Sequence, residues 1–234
     1  VGGHRQRSGL DYDDTAAPVL SANSFRMLMS FIVNLGLKKK HIDISQAFVQ
    51  SDVDKLIYIR VPEHFWEAVE SSKFTEAKLG LIASLCSNPL YSGKIKDCMH
   101  LVKKGNLRDL VIYLGIEDQL CLQLVKSLYG LKQAPLLWNK ELVKFVTKNL
   151  GFKQCEYEPC LFVRVYGVNN IGFIAIYVDD LILAFSNIKN QDYVGNQILT
   201  KFEGNDLGDL KWYLSVSIYT DPVTKAIHLN QESF

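Results

Sequence analysis

The stretch Ile174-Ala-Ile-Tyr-Val-Asp179-Asp180-Leu-Ile-Leu-Ala-Phe185 sets two adjacent aspartates between two apolar runs, each of strand length. A membrane-spanning helix is excluded here. The stretch falls short of the roughly 20 apolar residues a span requires, and it would bury two carboxylates at its centre. Ile, Val, Tyr and Phe favour strands and Asp favours turns. The stretch therefore reads as two buried strands joined by a tight turn, with two carboxylates at the tip of a rigid hairpin. Adjacent ionised carboxylates raise one another's pKa unless a cation or a donor offsets the repulsion. A divalent metal with oxygen ligands is the natural offset, and Mg²⁺ typically takes one or two carboxylates together with substrate phosphates. The plain alternative, a polar turn with no further role, fits poorly between two apolar strands.

The rest of the chain supplies a core for such a hairpin to belong to. With 234 residues and 48% hydrophobic content it is long enough for one large domain or two small ones. The formal net charge is only +1, so a nucleic-acid partner has to be argued from local patches. The five cysteines are odd in number and form no Cys-x-x-Cys, which reads as free core thiols in a reducing compartment. Cys155 and Cys160 have no histidine close in sequence to complete a metal site. No stretch reads as a signal peptide or a transmembrane segment. The expected location is intracellular, with cytoplasm (in a virus-like particle) and nucleus left open. A chain that starts at Val1 and stops at Phe234 without a closing signal reads as a piece of a longer protein.

Residues 1–20 read as irregular, with Asp13 and Asp14 a solvated acidic turn. Phe25, Leu28, Met29 and Ile32 recur at helical spacing behind Ser21, a fair N-cap, and Gly36 is a fair stop. Lys38-Lys39-Lys40 reads as a solvated face. Asp43 ends a short β-like run, with Ala47-Phe48 just beyond, so a strand followed by a turn would bring Phe48 back near that carboxylate. Asp43 as the N-cap of a following turn remains open. Leu56–Arg60 reads as a strand closed by Pro62, residues 66–119 are the least readable part, and helical fragments are expected around Phe65–Val69 and Leu79–Cys86. Leu122–Leu124 reads as a strand and Trp138–Leu150 as a helix. Between residues 121 and 153, Lys126, Lys132, Lys140, Lys144, Lys148 and Lys153 face Glu141 alone. With Tyr129 and Trp138 interleaved, that excess suits a phosphate backbone; a solvated lysine face is the alternative. Leu161–Val165 and Gly172–Val178 read as strands, Asn190–Phe202 as a helix, and Leu210–Tyr219 and Ala226–Leu229 as strands around Asp221-Pro222. The order implies an α+β fold with helices packed on one face of a sheet.

Five segments occur in order: Gly9-Leu-Asp-Tyr-Asp-Asp-Thr-Ala-Ala-Pro-Val19, Ile42-Asp-Ile-Ser-Gln-Ala-Phe48, Ser127-Leu-Tyr-Gly-Leu-Lys-Gln-Ala-Pro135, Tyr177-Val-Asp-Asp180 and Asp206-Leu-Gly-Asp-Leu-Lys211. Together they resemble the reverse transcriptase of copia-type LTR retrotransposons. The Tyr-x-Asp-Asp box alone is a moderate signal; the ordered set is a strong one. The resemblance implies a right-hand polymerase, with an antiparallel palm sheet, packed helices and partial fingers. Residues 1–65 would hold partial fingers and the start of the palm, 66–119 an atypical insertion, and 120–234 fingers and palm with the catalytic hairpin. The thumb and the RNase H domain would lie outside this chain, as would a basic strand before residue 1.

By motif, Asp43, Asp179 and Asp180 match the three carboxylates that bind two Mg²⁺ ions, with Mn²⁺ a possible substitute. Phe48 matches the aromatic placed against the sugar C2′ position, where a ring would exclude a 2′-hydroxyl; a plain core Phe is its alternative. Tyr177 and Gln133 fall in motifs that meet the incoming nucleotide, Lys126 and Lys132 lie beside Gln133 on the template side, and Trp212 and Tyr213 fall where the family supports the primer end. The implied partners are an RNA or DNA template–primer and a deoxynucleoside triphosphate, with no membrane; self-association is left open. The sequence departs from the family at Gln50-Ser51, where Asn-Gly is usual, at Leu136-Leu137, where Arg is usual, and at Ser215, where Gly is usual. Two other readings stand beside the polymerase: a silent relic or nucleic-acid-binding module on the same fold, and a nucleotidyl cyclase or other phosphotransferase with a similar acidic hairpin. The third gives no reason for Ser127–Pro135 and Asp206–Lys211 to recur.

Overall fold

The computed structural model describes residues 2–62, 64–70, 80, 82–85, 87, 90–91, 94, 97, 100, 107–116 and 120–231. In chain order the elements are helix α1 (Ala22–Asn34), strand β1 (Lys38–Ile44), β2 (Tyr58–Arg60), α2 (Phe65–Glu70), α3 (Leu107–Leu114) and β3 (Cys121–Gln123). They continue with α4 (Ala134–Lys144), which runs into a π turn at Phe145–Asn149, then β4 (Lys153–Gln154), β5 (Leu161–Gly167), β6 (Asn170–Tyr177) and β7 (Asp180–Phe185). Helix α5 (Ile188–Lys201) and strands β8 (Gly204–Gly208), β9 (Trp212–Tyr213), β10 (Val216–Thr220) and β11 (Ile227–Asn230) complete the set. The chain divides into two compact units, residues 1–55 with 125–234, and residues 56–124.

The larger unit is built on an antiparallel sheet of six strands in the order β4-β5-β6-β7-β1-β8. Its two central strands, β6 and β7, are the apolar runs around the Asp pair, buried on both faces as expected of a sheet covered on both sides. Alternation sorts their side chains. Ile174, Ile176, Leu181, Leu183 and Phe185 join Ile42 and Ile44 under α4 and α5. Phe173, Ala175, Ile182 and Ala184 face Leu28, Met29 and Ile32 of α1, together with Leu210, Tyr213 and Ile218. The expected single helical layer is thus corrected: α1 covers the opposite face from α4 and α5. The apolar runs show no alternation from which two covered faces could be told from one. Each large side chain enclosed here contributes about 1.5–3 kcal/mol relative to leaving it in water.

Helix α1 follows the expected pattern. Ser21 caps it by accepting from Ser24 N at 3.1 Å, Phe25, Leu28, Met29 and Ile32 are its buried stripe, and Gly36 takes a positive φ of 61° just beyond its end. Helix α4 starts four residues earlier than expected, because Gln-Ala-Pro forms its first turn, where a missing N–H is harmless. The expected strand 210–219 is instead a hairpin: β9 pairs with β10, and β10 with β11, in a small sheet of its own. Strand β8 was not anticipated, since Gly204, Asn205 and Asp206 are poor strand formers. Pairing with β1 overrides propensity there. Gly204 permits it: a Cβ at this position would stand 2.5 Å from Asp43 O.

Of the Lys38–Lys40 run only Lys38 is exposed, so the run as a whole is not a solvated face. It opens β1, and Lys39, 6% exposed, reaches Asp209 Oδ1 at 2.7 Å and Leu210 O at 3.0 Å. Lys40, 16% exposed, bridges Asp192 of α5 at 2.8 Å and Asp206 of β8 at 2.9 Å. The acidic residues of the Asp206–Lys211 motif therefore anchor the strand that carries Asp43.

In the smaller unit β2 pairs with β3, and Trp66, Ile82, Leu85, Leu107, Leu110 and Val111 share a core. The strand expected at Leu56–Arg60 is present in shortened form, and the one expected at Leu122–Leu124 is shifted one residue earlier. Of the helix expected at 79–86, residues 82–85 are helical, while 79, 81 and 86 lie outside the described residues, as does most of 66–119. Cys121, Cys155 and Cys160 are free thiols as expected, but of the three only Cys160 is a core residue; Cys121 is exposed and Cys155 half-buried. Among the described residues no helix is long and apolar enough to cross a membrane.

Candidate active site

The site is assembled at one end of β1, β6 and β7. Tyr177 pairs with Asp180 across a two-residue turn, Val178-Asp179, and Asp43 is the register partner of Asp180 on the neighbouring strand. The backbones of Asp43 and Asp180 thus face across adjacent strands, and Asp179 stands in the turn that leads from β6 into β7. Val178 carries a positive φ of 56°, the position of a tight hairpin that normally takes glycine and one where a β-branched residue is strained. Two bonds hold it. The Trp138 indole N–H donates to Val178 O at 2.6 Å, and Ile44 N donates to Asp179 O at 2.9 Å. Strain of this kind persists only where surrounding structure enforces it. Trp138 is accordingly a fully buried strut of the hairpin, which corrects its expected place in an exposed basic–aromatic surface.

Electrostatically the turn is under-compensated. Burial pushes the Asp179 carboxyl above the ordinary Asp range, its own backbone N–H pulls it back, and the charges of Asp180 and Asp43 push it further up. Asp180 Oδ1 is met by His41 Nε2 at 2.7 Å. A hard divalent cation fits this donor set in chemistry and charge: the charges of Asp180 and Asp43 bear on the half-buried Asp179 carboxyl, a repulsion that a cation would relieve. Among the described residues no three His, Cys, Asp or Glu side chains are already drawn into a metal cluster. Mg²⁺ tolerates that, since it completes its shell with water and substrate phosphates rather than an all-protein cage.

The other expected site residues are spread around this centre. Phe48 lies on the short 3₁₀ turn Ala47–Gln50 after β1, half-buried against the core, with its ring 4.8 Å from that of the exposed Tyr129. Tyr177 packs partly against the α1 face and lines a cavity of about 440 Å³ with Phe25, Arg26, Tyr213, Leu214 and Leu229. Gln133 is 1% exposed. Its amide donates to Asp11 O at 2.8 Å and accepts from Gln6 Nε2 at 3.0 Å, so it ties the N-terminal segment down in place of facing open space. Lys126 pairs with Asp52 at 2.7 Å; Lys132 reaches Tyr12 OH at 3.2 Å and stands over its ring. Lys140, Lys144 and Lys148 recur every four residues along the exposed side of α4 and its π turn. Trp212 is 47% exposed, whereas Tyr213 is a core residue stacked on Phe25 at 5.1 Å, its hydroxyl pushed far up by burial and then by the Asp180 charge. Sequence reasoning missed His41 and the Lys39 and Lys40 anchors. The signal was there in the strand's alternation, which sets His41 on the same side as Asp43.

The chain matches the reverse transcriptase (RNA-dependent DNA polymerase) family over residues 1–84 and 111–234. It belongs to that family. Among curated relatives, the retrovirus-related Pol polyprotein from transposon TNT 1-94 of Nicotiana tabacum is 25% identical over 234 residues, all of this chain and 14% of the tobacco protein. The corresponding polyprotein from transposon RE1 of Arabidopsis thaliana is 23% identical over 232 residues, 99% of this chain and 12% of its own length. A putative transposon Ty5-1 protein of Saccharomyces cerevisiae is 38% identical over 97 residues, 42% of this chain and 31% of that protein. The copia-type resemblance of the five motifs agrees with these relatives. This reverse transcriptase family chain spans only about a seventh of the longer polyproteins it matches.

Proposed function

We propose that this chain is the palm and partial fingers of a right-hand RNA-directed DNA polymerase, adding deoxynucleotides to a primer 3′-hydroxyl. The observation that carries the reading is the register pairing of Asp43 with Asp180 beside the strained Asp179 turn, in a chain that matches the family on both sides of it. Asp43, Asp179 and Asp180 would hold two Mg²⁺ ions, which would supply charge neutralisation and a lowered pKa for the attacking hydroxyl. Phosphoryl transfer asks of protein groups mainly positioning and electrostatic support. Here the sheet fixes the spacing of the carboxylates, Trp138 holds the turn, and Phe48 with Tyr129 offers an aromatic pair just past the end of β1 that would turn away a 2′-hydroxyl. The lysine row on α4 offers charge to a phosphate backbone. The break in the family match at residues 85–110 supports reading part of 66–119 as an insertion.

Primer extension on poly(rA)–oligo(dT) with Mg²⁺ tests the reading. Extension by the parent chain and none by Asp179→Asn is the expected result. A folded parent chain that extends nothing would remove the polymerase reading. The second reading is a nucleic-acid-binding module on the same fold, favoured by the enclosed Gln133, whose amide is taken up by Asp11 and Gln6. Salt-dependent binding of a primer–template without turnover is its signature.

A further inference from the structure

His41 lies two residues before Asp43 on β1, so pleat alternation directs both side chains to one face of the sheet. Its register partner is Ile182, two residues beyond Asp180. The imidazole is largely enclosed, with 13% of the side chain exposed. Nε2 stands 2.7 Å from Asp180 Oδ1, and on another side the ring meets Tyr213 edge-on, with centroids 6.0 Å apart and planes at 73°. An ionised carboxylate only accepts, so Nε2 is the donor in this bond. The bond occupies one carboxylate oxygen and leaves the other. Nothing in the sheet itself asks for a histidine here, since an apolar β-former would fill the same space.

We propose that His41 is a positioning residue for the candidate metal site. Flanked by Asp179 and in register with Asp43, the Asp180 carboxylate is repelled by its like-charged neighbours. His41 holds it in place by one oxygen and leaves the second for a cation. This role rests on the reading of Asp43, Asp179 and Asp180 as metal ligands. Outer partners that orient a ligand in this way typically affect metal affinity about 10- to 100-fold.

The test is direct Mn²⁺ binding to the 234-residue chain, followed by the electron paramagnetic resonance signal of the free ion, with no turnover needed. His41→Leu, which keeps bulk and removes the donor, is expected to weaken Mn²⁺ binding about tenfold or more, and His41→Gln, whose amide N–H donates, to recover most of the loss. In an Asp180→Asn background, His41→Leu is expected to change the remaining affinity by less than about twofold, because its effect passes through Asp180. Should His41→Leu not fold, His41→Asn, whose shorter amide falls back from Oδ1, takes its place against His41→Gln. A folded His41→Leu chain that binds Mn²⁺ as well as the parent, or more tightly, overturns the positioning role while leaving the metal site in place. A parent chain that binds no Mn²⁺ overturns the metal-site reading and the positioning role together.

Discussion

Three hairpins among the described residues turn in two residues with a residue other than glycine in the left-handed region. The β5–β6 turn uses Asn169, which tolerates that region, whereas the other two use residues that do not. In the first of these two, Val178 has φ 56° between β6 and β7. In the second, Leu214 and Ser215 have φ 46° and 64° between β9 and β10. The first is enforced from outside: its strands are buried on both faces, Trp138 bonds Val178 O, and Ile44 bonds Asp179 O. The second joins short strands of a small sheet, and among the described residues no side chain hydrogen-bonds the backbone of Leu214 or Ser215. The difference shows where this chain tolerates strain. At the carboxylates the strain is held in place by the core; at the second turn it is a local liability.

The largest effect should come from the first turn. Asp179→Asn removes a charge that burial and two like charges disfavour. Under the proposed function it is expected to lower primer extension at least about 10³-fold while raising Tm by about 1–3 °C, the trade expected of a destabilised functional site. A variant that loses stability along with activity would show that Asp179 supports the hairpin instead of straining it. Next comes the brace. Trp138→Phe keeps the packing against Phe202 and removes the donor to Val178 O, a loss of about 1–2 kcal/mol. Urea unfolding of Trp138→Phe beside Trp212→Phe, which alters an exposed ring in the second hairpin, checks this. Equal effects would erase the distinction between the two turns.

Much of this contrast was legible in the chain. The hairpin of β6 and β7, the helix α1 and the five motifs follow from local periodicity, capping and order, because apolar runs and turn residues carry their own structural information. What was not legible depended on distant partners. Lys38–Lys40 has the composition of a solvated run, and only the acids of α5, of β8 and of the bend just after it, more than a hundred residues on, bring Lys39 and Lys40 inside. Trp138 and Gln133 resemble surface recognition residues by their neighbours, yet both are buried because the hairpin and the N-terminal segment need their donors. Strand β8 has almost no propensity of its own. The turn at Leu214-Ser215 was hidden because Leu210–Tyr219 is apolar enough to pass for one strand.

The anchors of β1 extend the contrast, since the second hairpin has nothing comparable. Burial alone would pull the Lys40 ammonium down, but its bonds to Asp192 and Asp206 outweigh that and hold it above the usual Lys range. Asp206 is raised by burial but held below the ordinary Asp value by Lys40 and by Gly208 N–H. The signs follow. The Asp206 contribution is complete above the unfolded carboxylate value and is lost as pH falls through the folded one. The Lys40 contribution is complete below the unfolded ammonium value and is lost as pH rises through the folded one. Lys40→Met is therefore expected to lose about 1–2 kcal/mol on the neutral plateau. Its stability profile should also flatten below about pH 4 and above about pH 10. Urea midpoints across pH give the answer, and a parallel downward shift with both limbs intact would mean that the pairing of Lys40 adds nothing beyond packing.

The smallest effect should mark the second turn. Ser215 adopts φ 64° at a position where the family usually carries glycine. A left-handed residue with a Cβ is strained by roughly 1–2 kcal/mol, and glycine returns part of the gain by loosening the unfolded chain. Ser215→Gly is therefore expected to stabilise the protein by about 0.5–1 kcal/mol, read as a raised urea midpoint with an unchanged slope. The matched change in the first turn should behave differently. Val178→Gly relieves strain of similar size, but it frees a turn that Trp138 and Ile44 hold in one conformation, so the gain in stability should come with weaker extension. If both glycines stabilise and both leave extension intact, the strain at Val178 is incidental. If only Ser215→Gly is free of cost, the strain beside Asp179 belongs to the site.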